Sequence, residues 1–456
     1  MPCSRTGSSS RGPRSATSSP SPTARSTHVD QRRPRRTHRR HRVRACAVTG
    51  RLVVVGASLA GLRAVQSARR AGHEGPITLL GAERHLPYDR PPLSKAYLGT
   101  GGEPDFFVTA QELDELGVEV LLSTPAEALD PVRRVVAAGD DRIAYDAVVI
   151  ATGAAPRRLP DLPELDGIVT LRTLDDAAAI RDRLGPDLDV VVVGAGFIGS
   201  EIASSASAVG GRVTLVEAAA VPLVRAVGEV VGAAVSTLHG RNGVRLVCDA
   251  RIARVHAASG RVAAVELASG EVIPADLVVV GIGAAPATQW LAQSGAALHP
   301  ADGGLVCDEY LETSLPDVYA AGDVTYWPNA VLDATMRLEN WTNAAEQGGR
   351  AGANAVLPRP SRTPYETVPY FWSDWYDNRI QFVGGTAADG VDFAEGGPGT
   401  ERFVALYRSG DRLVGAATLN EPRKIMKLRR LIGGRAGTGE AIALLASMAR
   451  PAAPGP

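Results

Sequence analysis

The stretch Arg51-Leu52-Val53-Val54-Val55-Gly56-Ala57-Ser58-Leu59-Ala60-Gly61 decides what kind of protein this is. Its first half is an unbroken aliphatic run with no polar alternation, the pattern of a strand buried on both faces of a parallel sheet. The residues from Leu59 to Gly72 follow as an Arg-ended helix, so the unit reads strand, tight turn, helix. In that context Gly56 makes the turn and Ser58 stands where backbone approaches a pyrophosphate. Gly61 lets the helix pack on the strand, and the helix N-terminus faces the anion. Ser58 replaces the usual second glycine and is small enough to preserve the reading. A second strand, Ile77–Leu80, ends near Glu83, whose carboxylate is placed to accept hydrogen bonds from an adenosine ribose.

The pattern recurs 138 residues later. Val190–Val193 is the strand, Gly194-Ala195-Gly196-Phe197-Ile198-Gly199 the full fingerprint, and Val213–Val216 the second strand, ending in Glu217. Glu217 lies 21 residues beyond Gly196, near the spacing of about 20 at which a carboxylate meets the ribose hydroxyls. It would repel a 2′-phosphate, and Ala218–Ala220 offer no Arg to bind one, so NADH is expected over NADPH. One glycine-rich turn is weak evidence, but two complete strand-turn-helix-strand-acid units predict an α/β fold with two Rossmann-like dinucleotide-binding domains. Two dinucleotides in one chain imply electron transfer, most economically NADH reducing bound FAD. Which unit holds which is open on this argument.

The chain has 456 residues, 45% of them apolar, enough for two to four domains with buried cores. Its 49 basic and 49 acidic residues cancel, but unevenly. Residues 1–50 hold 12 Arg and one acid, a net +11, and the remainder therefore carries −11. The Ser/Thr/Pro/Arg-rich segment 1–49 lacks the apolar clusters needed to offset ordering entropy and is expected to be disordered. Readings as a nucleic-acid arm, a transit peptide or a membrane-surface arm weigh less than an over-long start, with the true one near Val48; neither nucleic acid nor membrane is an expected partner. The four cysteines, Cys3, Cys46, Cys248 and Cys307, form no C-x-x-C pair and no metal-ligand cluster, so no metal is expected. With no uninterrupted apolar run of 18 residues and no secretory h-region, a cytoplasmic location is expected.

Four further segments carry a resemblance. Pro87-Tyr88-Asp89-Arg90-Pro91-Pro92-Leu93-Ser94-Lys95, Ala151-Thr152-Gly153, Val318-Tyr319-Ala320-Ala321-Gly322-Asp323-Val324 and Pro369-Tyr370-Phe371-Trp372-Ser373-Asp374 together resemble the FAD-dependent ferredoxin reductases. These have glutathione-reductase-like architecture and serve haem monooxygenases and Rieske dioxygenases. The resemblance spans residues 51–435. It implies that the first unit, within 50–160 and 286–363, binds FAD and the second, within 161–285, binds NADH. Ala60 and Gly61 would then approach the FAD pyrophosphate, and Ala126 the adenine. Arg90 and Lys95 would lie near phosphate and isoalloxazine, and Arg157 would also contact FAD. Asp323 would accept a ribityl hydroxyl. Gly322, Ala151, Thr152, Gly153 and Gly283 complete the cofactor-binding set. The resemblance also pairs Glu201 with Lys95 as a gate for the nicotinamide, and in Arg337-Leu338-Glu339-Asn340-Trp341 it places Trp341 over or beside the flavin ring. Lys95, Glu201 and Trp341 are accordingly the expected catalytic residues. Disulfide reductases and NADH peroxidases of this architecture carry cysteine after the first fingerprint helix. Residues 84–110 here have none, so thiol chemistry is not expected.

After Thr363 the chain becomes aromatic-rich, and the runs Ile380–Val383, Phe403–Tyr407 and Leu413–Ala417 predict a small α/β interface domain over 364–456. Trp375 stands where the resembled pattern commonly has Gln. Arg423–Arg435 contains six basic residues and no acid. It reads either as a solvated helix face or as a docking patch for an acidic [2Fe-2S] ferredoxin, through Arg423, Lys424, Lys427, Arg429 and Arg430. The expected activity is NADH:ferredoxin oxidoreductase. An NADH oxidase or small-acceptor reductase, and a flavin- and NADH-binding sensor, are the alternatives.

Overall fold

The computed structural model describes residues 49–99, 101–159 and 165–448. The expected disorder of the tail concerns residues outside these, apart from Thr49. Leu52–Val55 forms a strand buried at every position, because it is the centre of a five-stranded parallel sheet with helices on its faces. Ile77–Leu80 and Val118–Leu121 lie in turn on one side of it, Ala147–Ile150 and Val318–Ala320 on the other. The last of these returns from far along the chain, so the first domain is completed only after the second has been threaded. The helix Leu59–Arg70 follows the glycine turn, and Gly56 takes φ +119, a conformation costly for any residue with a Cβ.

The second domain repeats the arrangement, with the parallel order Arg245–Val247, Arg212–Val216, Asp189–Val193, Leu277–Val280, Ile168–Thr170. Its fingerprint helix is Phe197–Ala208. A short antiparallel ribbon, Ala154–Pro156 with Ala284–Pro286, joins the two domains.

The C-terminal domain is a five-stranded antiparallel sheet ordered Tyr370–Trp375, Asn378–Gly384, Arg412–Leu419, Phe403–Ser409, Gly390–Glu395, followed by the helices Pro422–Gly433 and Thr438–Met448. The two outer strands escape sequence reading. Tyr370–Trp375 is aromatic on both faces, and Gly390–Glu395 is only half-buried, so neither shows clean alternation.

A second glycine effect was not legible beforehand. The helix Trp341–Val356 crosses the first fingerprint helix so closely that a Cβ on Gly348 or Gly352 would overlap the carbonyl oxygens of Ala60 and Ala64. This crossing fixes the helix whose first residue is Trp341. Among the described residues no helix is long and apolar enough to cross a membrane, and no group of three or more His, Cys, Asp and Glu side chains is arranged to hold a metal.

Candidate active site

Both fingerprint helices begin without a side-chain cap. Neither Ser58 nor Gly196 makes a cap hydrogen bond, so their first-turn N–H groups and the positive dipole end are left for an anion. A Cβ on Gly196 or Gly283 would meet nothing within 4 Å, so backbone there is open to close approach by a bound group. At Gly61 and Gly199 the opposite holds. A Cβ would overlap the carbonyl oxygens of Gly56 and Gly194, which is how each helix comes to sit so near its strand.

Glu217 stands at the end of its strand with both carboxylate oxygens held, one accepting from Ala195 N at 2.7 Å and the other from Ala219 N at 2.9 Å. The negative charge is thus tied to the mouth of the second fingerprint. Replacing Glu217 by alanine is expected to raise the KM for NADH about tenfold, the worth of a hydrogen bond to a charged acceptor, and to narrow the preference over NADPH. An unchanged ratio of the two kcat/KM values would overturn this role for Glu217.

At the first fingerprint, Glu83 accepts from Tyr88 Oη at 2.5 Å and is ion-paired with Arg90. Arg90 is shared widely: it also donates to Ser58 Oγ at 3.3 Å and to the Arg172 carbonyl at 2.8 Å. The loop carrying Ala126 is pinned to the same strand end by Ser123 N to Glu83 O at 3.0 Å and Thr124 N to Gly81 O at 2.8 Å. Burial pushes the Tyr88 hydroxyl far above its ordinary range, so it stays a proton donor to Glu83.

The turn Ala151–Gly153 and the turn Gly322–Asp323 both lie against the guanidinium of Arg172. Asp323 accepts from Arg172 Nη2 at 3.2 Å, and its carbonyl accepts from Arg337 Nη1 at 2.9 Å. Arg157 is exposed beside the connecting ribbon, its backbone N–H donating to Gly283 O at 2.9 Å and its Nε to Ala284 O at 3.1 Å. Arg172, which sequence reasoning missed, is the guanidinium at this turn. Its only local signal is the capping box that follows, Thr173 with Asp176; nothing in it points to Asp323, 151 residues away. Gln347 Oε1 accepts from Gly322 N at 2.8 Å, while its buried Nε2 has no partner among the described residues.

Lys95 and Glu201 meet at 2.9 Å, with side-chain exposures of 18% and 3%, at the junction of the two dinucleotide domains. Lys95 Nζ also donates to Pro91 O at 3.0 Å. Glu201 takes two hydroxyls as well, from Ser94 and Ser373. Trp341 donates its indole N–H to Asp89 at 2.8 Å and touches Phe107 and Trp372 edge-on. Burial raises the Asp89 carboxyl above its ordinary range, partly offset by the Trp341 hydrogen bond. Thus 85–95, 197–201, 337–341 and 370–375, remote in sequence, surround one region.

The basic run 423–435 is less basic at the surface than its composition suggests. Lys424 is ion-paired with Glu395 and with Glu421 at 3.3 Å, Arg429 with Glu346 at 3.4 Å, and Arg435 with Asp333 at 2.6 Å. Only Arg423, Lys427 and Arg430 are exposed without an ion pair among the described residues. Of the five residues read as a docking patch, Lys424 and Arg429 are thus paired and Arg423, Lys427 and Arg430 are free: the helix buries Ile425, Leu428 and Ile432, and that registry turns part of its charge toward acids of neighbouring elements.

Residues 50–348 match the family described as pyridine nucleotide-disulphide oxidoreductase, and 370–447 match a reductase C-terminal domain. The chain belongs to the pyridine nucleotide-disulphide oxidoreductases. It is 36% identical to rhodocoxin reductase of Rhodococcus erythropolis over 386 residues, covering 84% of this chain and 89% of that one. It is also 36% identical to the biphenyl dioxygenase system ferredoxin–NAD(+) reductase component of Paraburkholderia xenovorans over 388 residues, covering 84% and 93%. Putidaredoxin reductase, solved in a covalent complex with putidaredoxin, superposes with a TM-score of 0.82 at 30% identity, over 88% of this chain and 99% of that one. Within its family this oxidoreductase is therefore of the ferredoxin-reductase type, with FAD and NAD(H) as its cofactors. The uncapped helix starts, the open backbone at Gly196 and Gly283, and the carboxylates at both strand ends fit those groups.

Proposed function

We propose that this protein is an NADH-dependent FAD flavoprotein that reduces a [2Fe-2S] ferredoxin serving a monooxygenase or dioxygenase. Bound FAD supplies the change from a two-electron donor to a one-electron acceptor. The first fingerprint, with Glu83, Arg90, Arg172 and Asp323, holds that group; the second, with Glu217, holds NADH. Lys95 and Glu201 stand between them, positioning donors and a charge beside the place where the two cofactors meet.

The observation that carries the ferredoxin reading is the two-sided strand Tyr370–Trp375. Phe371, Ser373 and Trp375 turn inward. Tyr370 and Trp372, on the opposite face, stack at 5.8 Å, and Trp372 lies 6.2 Å from Trp341, so aromatic side chains run from the candidate flavin edge to Tyr370, which is partly buried against the helix Pro422–Gly433. Cations cap this row: Arg379 lies 5.7 Å over Trp372 and Arg429 5.9 Å over Tyr370. An aromatic row capped by two arginines fits an acidic protein acceptor better than a small molecule, and the free cations Arg423, Lys427 and Arg430 would steer the approach.

The test is NADH-driven turnover with a panel of acidic [2Fe-2S] ferredoxins and with oxygen alone. Turnover with ferredoxin is expected to exceed that with oxygen and to fall as salt is raised, because exposed charges are screened. Charge reversal at Lys427 and Arg430 is expected to lower kcat/KM for ferredoxin about tenfold, leaving reduction of a small inorganic acceptor unchanged. Equal turnover with oxygen alone would point instead to an oxidase, and insensitivity to salt and to charge reversal would remove the docking face.

A further inference from the structure

The C-terminal domain reaches into the junction between the two dinucleotide domains. Glu201 is anchored by Lys95 and Ser94 through Oε2, and by Ser373 through Oε1. Ser373 belongs to the outer strand of the C-terminal sheet and is fully buried. Its Oγ accepts the Trp375 indole N–H at 2.8 Å. A hydroxyl has one proton, and an indole nitrogen only donates, so with the indole on one side the Ser373 proton is directed to the carboxylate. The indole polarises the bond it feeds.

Trp375 is itself held without freedom. Its fully buried ring stacks on His239 at 5.1 Å and 27° and lies 6.1 Å from Phe197, the first residue of the second fingerprint helix. His239 Nδ1 is 2.9 Å from Tyr376 Oη, and Tyr376 N donates to Ser204 Oγ at 2.8 Å on that same helix. Burial brings the imidazole down to about 4, so a neutral ring faces the indole at neutral pH.

We propose that Ser373, oriented by Trp375, is a positioning residue for Glu201, so that the C-terminal domain sets the geometry of the Lys95–Glu201 pair and thereby governs the NADH half of the reaction as well as the acceptor half. The inference rests on the reading of that pair as the guard of the nicotinamide path. Without the Ser373 hydroxyl, Oε1 loses its only described donor in a site closed to water, and the carboxylate is free to rotate off Lys95.

The experiment is rapid mixing of the full-length flavoprotein with NADH in the absence of any acceptor, following flavin bleaching against NADH concentration. Ser373→Ala is expected to lower the limiting rate about tenfold, with a smaller change in the half-saturating NADH concentration. Ser373→Thr, which restores the hydroxyl, is expected to recover most of the rate. Trp375→Phe keeps an aromatic ring but removes the N–H together with the pyrrole half of the indole, and should fall between wild type and Ser373→Ala. Should Ser373→Ala fail to hold flavin, Trp375→Phe decides when set beside His239→Phe, a repacking against the same ring that leaves the indole N–H in place and is expected to keep the wild-type rate. Wild-type rates in Ser373→Ala and Trp375→Phe beside a slow Glu201→Ala would overturn this proposal and leave the pair's role standing. A wild-type rate in Glu201→Ala would remove the reading beneath it. Equal defects in the alanine and threonine variants would show packing rather than the hydroxyl at work, and would also overturn it.

Discussion

Replacing Gly61 with alanine is expected to yield a folded protein that does not retain flavin, whereas Gly199→Ala keeps flavin and loses NADH. The two glycines are geometric equivalents. Each sits one helical turn inside its fingerprint helix, and in each a Cβ would overlap the carbonyl oxygen of the turn glycine, Gly56 or Gly194. That carbonyl has no room to yield, because the turns are tied to their sheets by Gly56 N to Leu80 O at 2.8 Å and Gly194 N to Val216 O at 2.7 Å. The helix must therefore back away, and its uncapped N–H groups go with it. Overpacking of this kind costs about 1–3 kcal/mol of stability, tolerable for a domain with so large a core, but the loss of several aligned donors to a pyrophosphate is worth more in binding. Flavin absorbance of the purified variants, and the KM for NADH of Gly199→Ala, expected to rise about 100-fold, are the measurements. A Gly61→Ala variant with full flavin, or a Gly199→Ala variant that loses flavin while Gly61→Ala does not, would reverse the assignment of the two domains.

The second large effect is expected at Glu201. Removing one member of a buried ion pair strands its partner, at about 3–5 kcal/mol. Here the Lys95 terminus retains some exposure and the Pro91 carbonyl, so Glu201→Ala should cost about 3 kcal/mol, the low end. Glu201→Gln should cost less, since the amide oxygen still accepts from one of the two serines and the NH2 can donate to the hydroxyl oxygen of the other. The double variant Lys95→Met/Glu201→Leu should be more stable than Glu201→Ala, because no charge is left unpaired. Flavin reduction by NADH is expected to slow about 100-fold in Glu201→Ala. Chemical denaturation and single-turnover reduction measure the two effects separately. If stability falls but the reduction rate does not, Glu201 is a structural ion-pair residue and has no part in positioning.

Much of the site was legible because its parts are local. A strand, a glycine turn, a helix and an acid at the next strand end occupy some 30 consecutive residues, and each position answers to a local requirement. Gly56 needs a positive φ, Gly61 a missing Cβ, and Glu217 a strand end. The Lys95–Glu201 contact came from resemblance, and the coordinates bring the two side chains together. Arg172, Ser94 and Ser373 were not read as parts of a site, because each acts on a residue distant in sequence, whereas Tyr88 and Trp375 bond near neighbours, Glu83 and Ser373, and matter only through what those neighbours meet in the fold. Nothing about Ser373 among its neighbours announces a partner 172 residues earlier. The basic run 423–435 was legible only as a count of charges, for the same reason: only folding shows which acids stand opposite them.

What the sequence determined by itself is the pair of dinucleotide domains, the electron-transfer chemistry they imply, and the acids that follow the second strand of each. Periodicity and glycine placement are properties of short segments, and short segments are where backbone sterics act. What only the tertiary structure decided is how the three domains share one centre: Arg172 on Asp323, three cations of the run 423–435 paired with acids and three left free, and a C-terminal strand whose serine holds a carboxylate of the NAD domain. These are pairings across chain separations of up to 172 residues. They are selected by packing and by the cost of leaving a buried polar group unpaired, and no local pattern encodes either.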